Sequence, residues 1–242
     1  MSWVAHDLEP YIFQRKIGTG PIAISFVAVV LGSWGPDAVT KWFVYGTGFL
    51  GIHLKADNPV QFHRGWPGVG FTHSLTFGLV LGVLVYLLTT SKPWAIGLTI
   101  GIWLHALSDM GDTVGTMLFF PWTHQFTLGA WAYTVQSGRL SDAAAYYSGP
   151  GFVWDGLWFV LALVCYPVLR ASYFHERVAP SDGFWRRTGR FLPEEALLAL
   201  YRGAIFFVIC RFAGWMIWAH VLNDYSFDPT WGGPHWADAI GR

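Results

Sequence analysis

The chain has 242 residues, of which 53% are hydrophobic, 12% are charged and 15 are Trp, and its formal net charge is zero. A soluble domain usually carries about 25% charged residues. The chain lacks the polar surface that a water-soluble globule needs, so we expect an integral membrane protein surrounded by the lipid bilayer. A chain with zero net charge has no overall positive potential that would attract nucleic acid, so nucleic acid is excluded as a partner.

The start of the chain is not typical of a signal peptide, because acidic residues and Pro10 interrupt it before any apolar core. We interpret Ser2–Phe13 as an interfacial helix. The two cysteines, Cys165 and Cys210, lie in apolar runs. Their positions argue against a disulfide framework and against a zinc site built from cysteines.

Apolar stretches predict the membrane-spanning helices, because a helix needs about 20 mostly apolar residues to cross the hydrocarbon core. Five stretches approach this length: Ile17–Trp34, Ser74–Leu88, Pro93–Leu107, Gly151–Val168 and Leu197–Leu222. Two weaker stretches are interpreted as re-entrant or interfacial: Trp42–Leu54 and Phe126–Val135. The sequence therefore predicts an all-α fold, a polytopic transmembrane helix bundle of about five spans that forms a single membrane domain over residues 1–242.

Basic residues in the loops predict the orientation of the bundle, since Lys and Arg are enriched on the cytoplasmic side. Five crossings place three basic segments on one side: Arg15 with Lys16, Lys92, and the cluster from Arg170 to Arg190. We therefore expect an inner-membrane protein with a cytoplasmic N-terminus. Its loops at residues 37–72 and 121–150 and its C-terminal tail are expected to face outward.

An ionisable side chain inside a membrane span costs free energy, so it marks a candidate functional site. On the third predicted span His105, Asp109 and Asp112 are spaced i, i+4 and i+7, which puts them on one face of a helix. A neutral imidazole and a carboxylate on adjacent turns can ligate one metal, or the carboxylate can orient the imidazole. We expect His105 and Asp109 to be metal ligands and Asp112 to be a catalytic residue.

Three further candidate ligands come from the outer loop and the helix ends. Asp37 follows the first predicted span, His63 lies in the loop, and His73 directly precedes the second span. The predicted topology puts them at the same depth as His105, near the outer face. His and carboxylate ligands favour zinc, with manganese and iron as alternatives, and a second metal could bridge through a carboxylate. Arg64 is the candidate catalytic residue that would bind a phosphate or carboxylate of the substrate.

Several short motifs follow one another along the first half of the chain: Pro36-Asp37, His63-Arg64-Gly65, Thr72-His73-Ser74, His105 to Asp109, and Pro121. In this order they resemble the membrane-bound metal-dependent hydrolase family, the YdjM-like inner-membrane proteins. The resemblance covers residues 17–121 and implies a hydrolase core there, to which residues 122–242 add helices and the outward tail. It implies a site for a divalent metal. The His/Asp set with Arg64 nearby leads us to expect a hydrolase that acts at the outer face on a lipid or phosphoester.

Two departures from the family pattern support a second interpretation. The segment Trp66–Phe71 separates two motifs that the family joins almost directly, and positions 38–40 lack the acidic residue that the family often has there. The alternative is a non-catalytic accessory subunit of a larger membrane complex of respiratory or photosynthetic type, which reuses this fold and binds other membrane subunits. A variant is a redox or pigment-binding subunit with His73, His105 or His220 as an axial ligand.

Overall fold

The computed structural model describes residues 4–14, 24–45, 47–49, 52–54, 70–112, 114–130, 143, 146–147 and 149–222. The main helices are α1 Ala5–Phe13, α2 Phe26–Tyr45, α3 Leu75–Thr89, α4 Lys92–Ser108, α5 Pro150–Val164, α6 Gly183–Thr188 and α7 Glu194–Met216. Shorter helical segments are Asp109–Gly111, Tyr166–Leu169, Ala171–Tyr173, Phe174–Val178, Ala179–Ser181 and Ile217–Leu222. The predicted all-α class is confirmed, with one small addition. The backbone of the stretch expected to be re-entrant, Trp42–Leu54, finishes α2 and then forms an antiparallel hairpin of β1 Thr47–Phe49 and β2 Ile52–Leu54.

The centre of the bundle is the close pair of α2 and α4, which run side by side in the same direction. Gly97 of α4 lies against the carbonyl of Ser25, and Gly101, one turn later, lies against the carbonyl of Val29. Glycines at this spacing let two helix backbones approach more closely than any side chain would allow. The helix α3 packs antiparallel to α4 on its other side, also through glycines.

One end of the bundle collects the basic residues. Ser25, just before α2, donates its backbone N–H to the carbonyl of Pro93 at 3.0 Å and its hydroxyl to the carboxylate of Asp182. The starts of α2, α4 and α6 therefore meet at this end, together with Lys92 and the cluster from Arg170 to Arg190. We call it the basic end. The expectation that these segments face the cytoplasm stays a prediction.

The helix α1 is packed inside the bundle, so the expectation of an interfacial helix over Ser2–Phe13 is wrong. Its residues Ala5, Leu8 and Tyr11 are buried, and it contacts α2, α5 and α7. It runs towards the basic end, where Gln14 accepts a hydrogen bond from Tyr201 at 2.9 Å. The polar residues of α1 made it look like a surface helix, but they face polar partners within the bundle.

The helix α1 runs antiparallel to α2. His6, near its start, contacts Asp109 at the end of α4, and Gln14, after its last residue, contacts Tyr201 near the basic end. The expected cytoplasmic N-terminus stays a prediction.

The count of five spans is not supported. Among the described residues, one helix is long and apolar enough to cross a membrane. It is α7, which has 23 residues. The apolar helices α3 and α5 have 15 residues each, or about 22 Å, against a hydrocarbon core of about 30 Å. The other two predicted spans correspond to helices that include charged residues. The helix α4 begins at Lys92, and α2 continues past Pro36, Asp37 and Lys41.

A buried carboxylate from α5 anchors the start of α1. Asp155 is fully buried and accepts four hydrogen bonds: from the backbone N–H of Val4 at 3.0 Å and of Ala5 at 3.1 Å, and from the hydroxyls of Tyr146 at 3.2 Å and Tyr147 at 2.9 Å. The first N–H groups of a helix lack partners within the helix, and Asp155 supplies one. Sequence considerations suggest Asp155 as the partner of Arg211, but Arg211 pairs with Asp7 of α1 instead.

Candidate metal centre

Four of the predicted ligands come together at the end of the bundle opposite the basic end, which we call the cluster end. Asp37 lies on α2, His73 lies just before α3, and His105 and Asp109 lie at the end of α4. Ser74 caps α3 by accepting a backbone N–H at 3.0 Å, and this cap fixes the residue that precedes it. The two histidines and Asp109 are buried, whereas the Asp37 side chain is 24% exposed.

Carboxylate oxygens and imidazole nitrogens alternate around this cluster. The Oδ1 atom of Asp37 lies 3.4 Å from His73 Nε2 and 3.8 Å from His105 Nε2. The Oδ2 atom of Asp109 lies 3.7 Å from His73 Nε2 and 3.6 Å from His105 Nε2. Two ligand atoms on one tetrahedral zinc ion are about 3.3 Å apart, given zinc–ligand bonds of about 2.0–2.1 Å. Each of these four separations exceeds that spacing by no more than about half an ångström.

The hydrogen bonds of His105 fix its tautomer. Its Nδ1 atom lies 2.6 Å from the carbonyl oxygen of Ser33. A carbonyl can only accept, so Nδ1 carries the proton and Nε2 presents a lone pair to the carboxylates. That Nε2 atom is buried and has no hydrogen-bond partner among the described residues. An unsatisfied buried polar atom costs about 1–3 kcal/mol, and a bound cation would satisfy it.

The other members of the cluster are held by neighbours as well. The Nδ1 atom of His73 lies 3.0 Å from the hydroxyl of Thr72, which leaves Nε2 directed at Asp37. Lys41, one turn after Asp37 on α2, places its Nζ 3.0 Å from Asp37 Oδ1. Both of these side chains are about a quarter exposed. The cluster is therefore buried on the His105 side and open on the Asp37 side.

His6 of α1 joins the cluster, and sequence considerations missed it. Its Nε2 atom lies 3.0 Å from Asp109 Oδ1, and its ring stacks on that of His105 with centroids 3.8 Å apart. The available signal was a His-x-x-Glu spacing on one face of α1.

Two overlapping sets of described residues could hold a metal ion. One set is His6, His105 and Asp109, and the other is Asp37, His73 and His105. All of these side chains are buried except Asp37, which is partly exposed. His105 belongs to both sets, so it is the residue on which the centre depends most.

Of the three remaining predicted site residues, the structure describes one, Asp112. Asp112 is buried, but its Oδ1 accepts the backbone N–H groups of Val114 at 3.0 Å and Gly115 at 2.9 Å, so it stabilises a turn. The expected i+7 relation fails because α4 ends at Ser108, and the chain leaves the helical face before Asp112. His63 and Arg64, predicted as a ligand and a catalytic residue, lie outside the described residues.

The structure combines a bundle of helices, one of them long and apolar enough to cross a membrane, with a His/Asp cluster that could hold a metal ion. The sequence model of the YdjM inner membrane protein family matches residues 11–175, more than half of the chain, and the chain belongs to this family. The resemblance seen in the motifs is thereby confirmed, and the match extends beyond residues 17–121, through α5 to residue 175. The family also confirms the inner membrane as the location. No curated protein and no solved structure matches the chain.

Proposed function

We propose that this chain is a metal-dependent hydrolase of the inner membrane, with Asp37, His73, His105 and Asp109 as the metal ligands. One observation carries the proposal: the deprotonated Nε2 of His105 is buried without a hydrogen-bond partner in the described part of the chain and faces two carboxylates. Nitrogen and oxygen ligands at these separations suit zinc, and manganese or iron would also accept them.

The residues around the ligands prepare the centre for a cation. The Ser33 carbonyl holds the proton of His105 on Nδ1, and the Thr72 hydroxyl orients His73. Such partners fix the orientation of metal-binding imidazoles and strengthen them as ligands. A divalent metal held there would supply Lewis acidity that activates water near neutral pH. Burial of His105 and Asp109 excludes bulk water from one side of the centre.

The open side of the cluster suggests the class of substrate. Lys41 lies at this side, where its ammonium group can exchange its contact with Asp37 for the anionic group of an incoming molecule. A phosphoester, including that of a membrane lipid, fits a cation beside a metal centre. The cluster end lies opposite the basic residues, and basic segments favour the cytoplasm. We therefore place the centre towards the outer face of a multi-pass protein.

The test is hydrolysis by the purified protein after its metals are removed and restored. The protein in mild detergent is stripped with a chelator and reloaded with zinc, manganese or iron(II). It is then assayed with a phosphomonoester, a phosphodiester and vesicles of a glycerophospholipid. We expect activity only after reloading, its loss in His73→Ala, and a raised KM in Lys41→Met. His124→Ala is the matched control, because His124 is exposed and stands apart from the cluster.

Two results would overturn the hydrolase assignment. One is hydrolysis that persists at full rate in the stripped protein or in His73→Ala. The other is a metal-loaded wild type that hydrolyses none of the three substrates. A protein that binds no metal would favour the alternative of an accessory subunit, and the search would then turn to its partners in the membrane.

A further inference from the structure

We infer that the centre holds two metal ions, and that His6 on the N-terminal helix α1 binds the second ion together with Asp109. This inference rests on the proposed function, because the first ion is the one assigned to His73, His105, Asp37 and Asp109. His6 lies outside the motifs that resemble the hydrolase family, whereas Asp109 belongs to one of them.

The two carboxylate oxygens of Asp109 face different histidines. Oδ2 points to His105 and His73 at 3.6 and 3.7 Å, whereas Oδ1 lies 3.0 Å from Nε2 of His6. A carboxylate with nitrogen ligands on both of its oxygens can bridge two cations. Asp109 is almost fully buried, with a side-chain exposure of 1%. Its two oxygens therefore serve ligands on α1 and on α4 at once.

The spacing of the imidazoles agrees with a pair of ions. The rings of His6 and His105 are stacked, with centroids 3.8 Å apart and an interplanar angle of 21°. Metal ions in two-metal hydrolytic sites lie about 3.5–4 Å apart. Two nearly parallel imidazoles at this separation can each direct a nitrogen to its own ion, and both can share the bridge through Asp109.

Glu9 supports His6 from behind. Its Oε2 atom lies 3.6 Å from His6 Nδ1, an ion-pair distance that is longer than a hydrogen bond, and the side chain is 1% exposed. The Oε1 atom of Glu9 has no hydrogen-bond partner among the described residues. A buried carboxylate is costly unless a positive charge compensates it. A carboxylate on the far nitrogen of a histidine is the usual partner of a metal-binding imidazole, so we assign Glu9 as the positioning residue of His6.

Hydrogen bonds that anchor the start of α1 also fix the position of His6. Asp155 holds the backbone of Val4 and Ala5, the residues directly before His6. The hydroxyl of Ser33 donates to the carbonyl of His6 at 2.7 Å. Because Ser33 also supplies the carbonyl that orients His105, one residue of α2 sets the positions of both stacked imidazoles.

The experiment measures the number of metal ions bound per chain and the magnetic coupling between them. The full-length protein in detergent is loaded with manganese, and bound metal is measured by elemental analysis in the wild type and in His6→Gln. Gln can still donate a hydrogen bond to Asp109, so this variant separates a ligand from a mere hydrogen-bond donor. We expect two ions in the wild type, with the paramagnetic resonance signal of a coupled manganese pair, and one ion with an uncoupled signal in His6→Gln. Glu9→Gln should weaken binding of the second ion only.

The outcomes separate the two proposals. One ion per wild-type chain, unchanged in His6→Gln, would overturn the second position and leave the first intact. Two ions that both persist in His6→Gln would also exclude His6 as a ligand. No metal in a wild type that melts cooperatively would overturn the proposed function itself. A thermal melt of each variant, followed by Trp fluorescence, shows whether lost metal reflects a lost fold.

Discussion

Replacing Gly101 by Ala tests how closely the metal centre depends on the contact between α2 and α4. A Cβ atom at Gly101 would lie 2.2 Å from the carbonyl oxygen of Val29 and 2.8 Å from the backbone nitrogen of Ser33. An ordinary contact needs more than 3 Å, so the two helices must separate by about 1 Å to admit one methyl group. Both atoms in the way belong to the backbone of α2, so no side-chain rotation relieves the clash.

The separation has two measurable consequences. Overpacking of this kind costs about 1–3 kcal/mol, and each kcal/mol lowers the Tm by about 2–4 °C in a chain of this size. The second consequence concerns the metal centre. Gly101 lies one turn before His105, and the added Cβ would clash with Ser33, whose carbonyl orients that histidine. Metal–ligand distances tolerate only about 0.2 Å. A 1 Å shift between Asp37 on α2 and His105 on α4 should therefore lower metal affinity.

The assay is a thermal melt followed by Trp fluorescence in detergent, together with elemental analysis of the bound metal. Gly156→Ala on α5 and Gly203→Ala on α7 are matched controls, because an added Cβ meets nothing within 4 Å at either position. Alanine is favoured over glycine inside a helix by about 0.5–1 kcal/mol, so these controls should melt at or above the wild-type temperature. A Gly101→Ala protein that melts with the controls and keeps its metal would refute the close approach of α2 and α4.

Three further predictions follow from the contacts of α1 and from the histidine ligands. Asp155→Asn loses charged acceptors for α1, so it should lower the unfolding free energy by about 1.5–3 kcal/mol; an unchanged melt would contradict the anchoring role. Arg211→Met leaves the buried Asp7 without its ion pair and should destabilise the fold by up to about 3 kcal/mol, whereas Met at the exposed Arg202 should have little effect on the Tm. Bound metal should be lost on acidification, because histidines bind metals only when neutral; equilibrium dialysis at graded pH measures this, and an affinity that does not change with pH would contradict histidine ligands.

The parts of the site that the sequence predicts are those encoded by local spacing. His105 and Asp109 are one turn apart on α4, and helical geometry brings them together wherever that helix lies. His73 is fixed by its place directly before the capping residue Ser74 of α3. Asp37 could be identified only as a residue near a helix end, yet it lies within α2, because that helix continues through Pro36 to Tyr45.

The parts that the sequence did not predict depend on contacts between distant segments. His6 reaches Asp109 across 103 positions of sequence, and only the packing of α1 brings the two together. That packing depends on Asp155, which lies 151 positions from Val4. The sequence predicts the helix but not its burial, because the apolar residues of α1 are interrupted by His6, Asp7 and Glu9. The prediction of five spans is not supported, because a window of apolar residues does not show where a helix begins and ends.

The most direct test of the central claim is the metal content of the purified protein, measured for the wild type beside His105→Ala and His124→Ala. His105 belongs to both candidate sets of ligands, whereas His124 is exposed and stands apart from them. The account predicts at least one tightly bound divalent ion per chain in the wild type and in His124→Ala, and its loss in a folded His105→Ala protein. A wild type without metal, or a His105→Ala protein that keeps its full complement, would contradict the account.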